Sequence, residues 1–476
     1  MCGSLSFFRP FGKLQKFNQN ALKNMRNNQC ESRDRGVSLA LLVTMVMASG
    51  VVRQASAQNV PADSQTANSA ATPTNQPAWL NPAQSLTFSY GAFDLHPRLR
   101  STTIYDDNIL FAHNGRQQDV ISQVAPGIQI LGGDRQTLET YLNQAEYWNY
   151  NLNLIRLAPS YLIVNPPESW PDKFLLLDYS PQWQEFGRHS ENDSLDQFVT
   201  ANAVWPMAKL ILGVQENYSD QKTILIEASS RSEIQQNHTE LDAGYRLNDK
   251  FSADTAFTRQ DVSYPGSTNL QGYAEWKGSV SLNRQVGPTL NVSWVSAGGL
   301  DEVAAGQNQQ FVQTGGRARY SYSELFQVDG SLGVEYRQFD TGRADTFTPY
   351  FTLGTTYQPW ERTYFRLGLA RQQVASLSKG SFYTSTGGYL TIRRDFTDRF
   401  SIWTDISCYR YDITTTANVA NTLKPSDYYA IRLTADLKLW KHLDSQLYYQ
   451  FSGNGIFQNN TVVQDNQVGL QFTLRY

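Results

Sequence analysis

The chain has 476 residues, of which 40 % are hydrophobic, 17 % charged and 13 % aromatic. The charged fraction is below the roughly 25 % of an ordinary soluble domain. The mean hydropathy of -0.46 excludes a polytopic helical membrane protein, which needs repeated apolar runs of about 20 residues. A β-barrel stays open, because its strands alternate polar and apolar residues. A soluble multi-domain enzyme also remains possible on length alone.

Residues 1–57 are predicted to be a signal peptide. Scattered basic residues precede an apolar run at 37–52, and the small residues 55–57 predict cleavage between Ala57 and Gln58. An N-terminal membrane anchor is the alternative. Residues 58–85 are rich in Ala, Gln, Asn, Ser, Thr and Pro, which predicts a disordered periplasmic tether. The remaining chain is acidic on balance, so no nucleic-acid partner is expected.

Residues 86–476 are predicted to form one all-β domain, because apolar residues recur at every second position from Leu99 onward. Tight turns alternate with longer polar loops, expected at 265–271, 298–309, 341–345, 414–426 and 453–461. This rhythm is typical of a transmembrane, antiparallel, up-and-down barrel. We count eighteen strands, the first starting near residue 97, with sixteen as the alternative. A soluble sandwich or propeller also alternates, but many Tyr and Trp residues near the strand ends favour membrane interfaces.

The last strand ends on an alternating aromatic pattern, Phe472, Leu474 and Tyr476. We interpret this as the signal that the barrel-assembly machinery recognises. The expected location is therefore the outer membrane of a Gram-negative-type cell, reached after export across the inner membrane. Outer-membrane lipid and lipopolysaccharide would surround the barrel there.

Residues 133–172 depart from the alternation. Apolar residues at helical spacing, such as Leu138, Leu142 and Ile155, predict a periplasmic insertion containing an amphipathic helix, or alternatively a misphased strand pair. The external loops look too short to fold inward. We therefore expect this insertion to be the main narrowing of the lumen.

The segments 95–97, 105–109, 119–121, 125–128 and 175–181 resemble the β-barrel porins of the second type. This resemblance covers about a fifth of the chain, and 133–172 departs from it. It implies an outer-membrane channel, often considered alongside exopolysaccharide export, with no catalytic residues. Polysaccharide-export proteins would then be partners.

Neither an enzyme nor a cofactor is expected. The five His residues stand in no nucleophile motif and at no metal-ligand spacing. Asp106, Asp107 and Asn108 offer hard oxygen ligands for calcium. A solvated loop mouth, in which Asp and Asn make turns, is the preferred interpretation.

A set of charged residues falls in phase with the polar face and is predicted to line the lumen: Arg246, Glu275, Arg319, Glu335, Arg337, Arg366, Arg393, Asp405, Arg432, Asp436, Lys438 and Arg475. Such residues would create a transverse electric field that filters solutes. Alternatively, they would pair across neighbouring strands and stabilise the barrel wall. The sequence thus predicts a porin-like channel for passive passage of small polar solutes. The alternatives are an exopolysaccharide-export conduit and a structural barrel with a blocked lumen.

Overall fold

The computed structural model describes the chain from residue 88 to residue 475, with gaps. The described residues are 88–90, 92–112, 114–133, 173–225, 230–267, 270–303, 308–323, 325–340, 345–375, 381–415, 426–455 and 463–475. The predicted signal peptide with its cleavage site, the tether and Tyr476 lie outside them. So does the insertion from residue 134 to 172.

Twenty β-strands follow one another along the described chain. They are β1 (Phe88–Tyr90), β2 (Phe93–Asp106), β3 (Asp119–Gly133), β4 (Phe174–Tyr179), β5 (Gln182–Phe186), β6 (Ser194–Pro206), β7 (Leu210–Leu225), β8 (Ser230–Arg246), β9 (Phe251–Ser263), β10 (Tyr273–Gln285), β11 (Leu290–Val303), β12 (Gln309–Ser323), β13 (Phe326–Phe339), β14 (Thr346–Trp360), β15 (Thr363–Ala375), β16 (Ser381–Thr397), β17 (Phe400–Thr415), β18 (Ser426–Trp440), β19 (Leu443–Asn454) and β20 (Val463–Arg475). A short 3-10 turn, Ser190–Asn192, lies between β5 and β6. Among the described residues, no helix has the length and hydropathy to cross a bilayer.

The strands form one antiparallel sheet that closes on itself, because β2 pairs with β20. We call each full-length strand position in the barrel wall a stave. β4 and β5 are two halves of one stave, because both pair with β3 on one side and with β6 on the other. The break falls at Pro181, which has no N–H to donate. β1 is a short hairpin arm on β2. The wall therefore has eighteen staves, which confirms the predicted eighteen-stranded barrel.

The two ends of the barrel differ in their connections. One end, here called the terminal end, holds the start of β2, the end of β20 and turns as short as 361–362 and 441–442. Apart from the connection between β3 and β4, which belongs to the terminal end, the longer connections lie at the opposite end, here called the loop end. The long loop predicted at 298–309 is shorter in the structure, because β11 and β12 extend into it and leave only 304–308 between them.

The wall has an apolar outer face and a polar inner face. On β13, Leu332 is 67 % exposed and points outward, whereas Glu335 and Arg337, three and five positions later, are 2 % exposed and point inward. On most other strands, too, large apolar side chains at every second position are exposed on the outer face. A contiguous apolar surface of this extent marks a face that another apolar phase covers.

Inside the wall, aromatic rings lie flat over glycines of the neighbouring strand. Tyr448 on β19 stands opposite Gly469 on β20, and a Cβ added at Gly469 would lie 2.2 Å from its ring. Tyr389 covers Gly368 in the same way. The missing side chain lets each ring press against the backbone.

Candidate functional site

The connection between β2 and β3, residues 107–118, folds into the barrel over its first half, whereas residues 114–116 and 118 are exposed. We call it the strap; its residue 113 lies outside the described part. Ile109 is 0 % and Phe111 2 % exposed, so both side chains are surrounded by protein. The predicted solvated loop mouth is therefore wrong, as is the expectation that no external loop is able to fold inward. The alternating pattern of the strands gave no sign of this burial.

Ile109 anchors the strap on the near wall. Ile109 packs in a buried cluster with Ile121 of β3 and Phe186 of β5. Leu110 of the strap and Ile104 of β2 pack against this cluster. These wall residues point inward, in phase opposite to exposed neighbours such as Val120. The anchor is thus a small apolar core inside the lumen.

The second anchor lies on other staves. Phe111 forms a buried cluster with Tyr409 of β17, Tyr428 and Ala430 of β18, and Val463 of β20. Burying a phenylalanine side chain contributes about 1.5–3 kcal/mol relative to leaving it exposed. The first half of the strap is therefore held by apolar packing at two positions, Ile109 and Phe111.

The same cluster joins opposite walls. Ile224, near the loop end of β7, and Tyr383 of β16 both pack against it. In the order of pairing around the barrel, β7 and β16 stand nine staves apart out of eighteen, on opposite sides. The cluster that contains Phe111 therefore links opposite sides of the lumen at the loop end.

Asn108 braces the strap from within. Its backbone N–H donates to Asp106 Oδ1 (2.7 Å), and its side-chain amide donates to the carbonyls of Ala112 (3.0 Å) and Gln464 (2.8 Å). Its Oδ1 accepts the N–H of Ala112 (2.9 Å). These bonds confirm the predicted turn-making role of this segment. They engage both the nitrogen and the oxygen of the Asn108 side-chain amide.

The bend forces Phe111 into an uncommon backbone conformation. Its φ is +52°, the left-handed region that side chains other than glycine rarely adopt. The Phe111 N–H closes the turn by donating to the Asn108 carbonyl at 2.8 Å. Such strain persists only where the surrounding packing over-determines it, and the buried phenyl ring supplies that packing.

Polar contacts tie the strap to its neighbours. Asp107 accepts the backbone N–H and the side-chain amide of Asn466 on β20 (2.8 and 2.7 Å). Asp119, at the far end of the strap, accepts the N–H groups of Arg188 and His189 (3.0 Å each). In the exposed turn that follows, a hydrogen bond from its own backbone N–H and the nearby His189 lower the pKa of Glu191.

The twelve charged residues predicted to line the lumen stand in nine strands. They lie on β8 (Arg246), β10 (Glu275), β12 (Arg319), β13 (Glu335, Arg337), β15 (Arg366), β16 (Arg393), β17 (Asp405), β18 (Arg432, Asp436, Lys438) and β20 (Arg475). Each is out of phase with the exposed apolar side chains of its strand or of the strand it pairs with. The structure gathers several of them into ion pairs rather than leaving a row of separate charges.

The most buried group centres on Arg337. Its Nη1 donates to Asp301 and to Gln309 (2.8 Å), and its Nε donates to Glu335 (2.7 Å). Glu335 also accepts the amide of Gln313 at 2.6 Å. Glu335 and Arg337 were predicted from the sequence to face the lumen. Asp301 was not, because it falls in the stretch 298–309 that was expected to be a loop, although it stands in the same phase on β11.

Other pairs recur along the wall. Arg319 and Arg317 share Asp329, at 3.2 and 2.8 Å. Arg393 donates to Asp395 at 2.8 Å, and Asp405 stands opposite Arg432 in the β17–β18 register. The guanidinium of Arg432 lies 4.0 Å from the Tyr448 ring centroid, a cation–π contact. Some of these pairs link neighbouring staves, as Arg317 and Asp329 link β12 and β13, and paired charges largely cancel each other's field.

No family model and no curated protein matches the chain. Solved structures resemble it at low identity. Acinetobacter baumannii OccAB4 is 12 % identical over 83 % of this chain and 100 % of its own, with a TM-score of 0.41. The outer membrane protein opdK from Pseudomonas aeruginosa is 9 % identical over 80 % of this chain and 99 % of its own (TM-score 0.40). Pseudomonas aeruginosa OccK2 (OpdF), solved in complex with glucuronate, is 10 % identical over 80 % and 98 % (TM-score 0.42). At these scores, the resemblance carries no conclusion about function.

Proposed function

We propose that the protein is an outer-membrane channel through which small polar solutes diffuse passively, narrowed at its loop end by the strap. The observation that carries this proposal is the closed wall, apolar outside and polar inside. A closed sheet satisfies the backbone hydrogen bonds between its staves, which a bilayer requires. The polar inner face then offers a path for water and solutes.

The strand lengths support a membrane location. A strand of 13 residues, such as β9, is about 44 Å long at roughly 3.4 Å per residue. At the tilt of about 45° usual for such strands, it spans about 30 Å, the thickness of the hydrocarbon core. The loop end would face outward, and the terminal end would face the periplasm.

The strap and the paired charges set the expected selectivity. Because the side-chain cluster around Phe111 reaches opposite walls at the loop end, the free path is narrower than an eighteen-stave barrel alone would leave. Because several inward charges are paired within the wall, as Arg337 is with Asp301, we expect a mild charge preference. Passage is then limited mainly by size.

Planar-bilayer recording tests this proposal. The chain from Gln58 is refolded, and its conductance is measured with unequal salt on the two sides. We expect discrete current steps and a small reversal potential. A folded, heat-modifiable protein that inserts and yet gives no steps would refute an open channel. The contact across the lumen would then favour a structural barrel with a blocked lumen.

A further inference from the structure

We propose that Asp106, Asp107 and Asp465 form a binding site for one divalent cation, Ca²⁺ by its chemistry, at the root of the strap. One carboxylate oxygen of each residue lies within 4.8 Å of one from each of the others. Oxygen atoms that far apart can share one Ca²⁺, which takes oxygen ligands at about 2.3–2.6 Å. This inference is independent of whether the barrel conducts.

Burial distinguishes this group from a solvated acidic loop. Asp106 and Asp465 are each 2 % exposed. Buried carboxylates in such proximity repel one another and lose hydration, so they need a compensating positive charge. Among the described residues, the cation that faces Asp106 is Arg231 of β8, and its charge is shared with Asp196 of β6. The three carboxylates therefore keep an excess of negative charge.

The hydrogen bonds point to an incomplete site. Asp465 Oδ1 is buried and, among the residues that the structure describes, receives no hydrogen bond, although a buried carboxylate oxygen ordinarily has a donor. Its other oxygen and Asp106 Oδ2 share a single donor, the amide of Gln467 (2.9 and 3.0 Å). A cation bound between Asp106 and Asp465 would supply the contact that Asp465 Oδ1 lacks.

The position gives the cation a structural consequence. Asp106 ends β2, Asp107 begins the strap, and Asp465 lies on β20. A cation held by all three would clamp the seam where the barrel closes and fix the strap at its first residue. Removing it would leave the repelling carboxylates to loosen that root.

Terbium luminescence tests the site, because Tb³⁺ takes the ligands of Ca²⁺ and emits when a nearby tyrosine is excited. Tyr428 packs beside Val463, two residues before Asp465, and serves as the antenna. With the detergent-purified protein we expect saturable emission that Ca²⁺ displaces. Asp465→Asn and Asp107→Asn should each weaken Tb³⁺ affinity by roughly tenfold or more. Asp436→Asn, which removes an inward carboxylate elsewhere, should leave it unchanged.

A second measurement needs no variant. Hydrogen exchange at the Phe111 and Ala112 amides of the unmodified protein should accelerate when a chelator removes Ca²⁺ and slow again when Ca²⁺ is restored. The site is refuted if Tb³⁺ emission is absent, or is equal in the unmodified protein and in Asp465→Asn, while the hydrogen-exchange rate is the same with and without Ca²⁺. In that outcome a proton shared between Asp106 and Asp465 would relieve the repulsion instead.

Discussion

Replacing Phe111 by alanine should release the strap and open the channel. The ring is 2 % exposed within its cluster, and a buried Phe→Ala change costs about 3–5 kcal/mol. Alanine leaves the unfavourable φ of +52° in place, so no relief of strain offsets this loss. At about 1.4 kcal/mol per tenfold, the ratio of closed to open strap should fall by roughly a hundredfold to a few thousandfold.

Single-channel recording measures the result. We expect Phe111→Ala to show larger or noisier current steps than the unmodified protein. Phe111→Gly should show a weaker effect, because glycine accepts the left-handed conformation and keeps the bend. Phe347, 69 % exposed on the outer face, provides the matched control, and Phe347→Ala should conduct normally. Folded Phe111→Ala protein with unchanged steps and noise would refute the strap as the constriction.

Three further predictions follow from the wall. Arg337→Ala should lower the free energy of unfolding in urea by about 3–5 kcal/mol, because it leaves buried carboxylates unpaired. The control Arg362→Ala, in an exposed pair, should lower it by about 0–1 kcal/mol. Equal losses in the two variants would contradict the role of burial. Gly469→Val should displace the Tyr448 ring and lower the temperature at which the barrel loses its heat-modifiable mobility on a gel; an unaltered temperature would show that the ring has room to move. Deleting 134–172 should raise conductance if that insertion narrows the lumen, as the sequence analysis expects. A rise only in Phe111→Ala would place the narrowing at the strap alone.

The sequence predicted the wall well because the wall is built from local, repetitive rules. A strand in a two-faced sheet alternates with a period of two, so the outward phase of Val468 and Leu470 and the inward phase of Arg475 follow from position alone. Turn residues are also local signals. Asn248 caps its tight turn by accepting hydrogen bonds from the N–H groups of Lys250 and Phe251, and an Asn at such a position is a turn signal that the sequence shows.

The contents of the lumen were not predictable in this way. Phe111, Ile224 and Tyr409 are far apart in the sequence, and nothing in the alternation of β7 or β17 indicates that a loop from β2 meets them. The partners of the inward charges are a similar case. Phase alone shows that Asp301 and Arg337 face the same side, but the closing of the sheet and the rotamers decide that they pair.

The sequence by itself determined the architecture of this protein: alternation, turn chemistry and an even strand count define a closed antiparallel barrel with a polar interior. Only the tertiary structure decided what lies inside that barrel. It buried Ile109 and Phe111 of the strap inside the barrel, and it brought Asp106 and Asp107 close to Asp465 from the far end of the chain. The physical reason is that strand pairing depends on local periodicity, whereas contacts across a lumen depend on closure of the whole sheet.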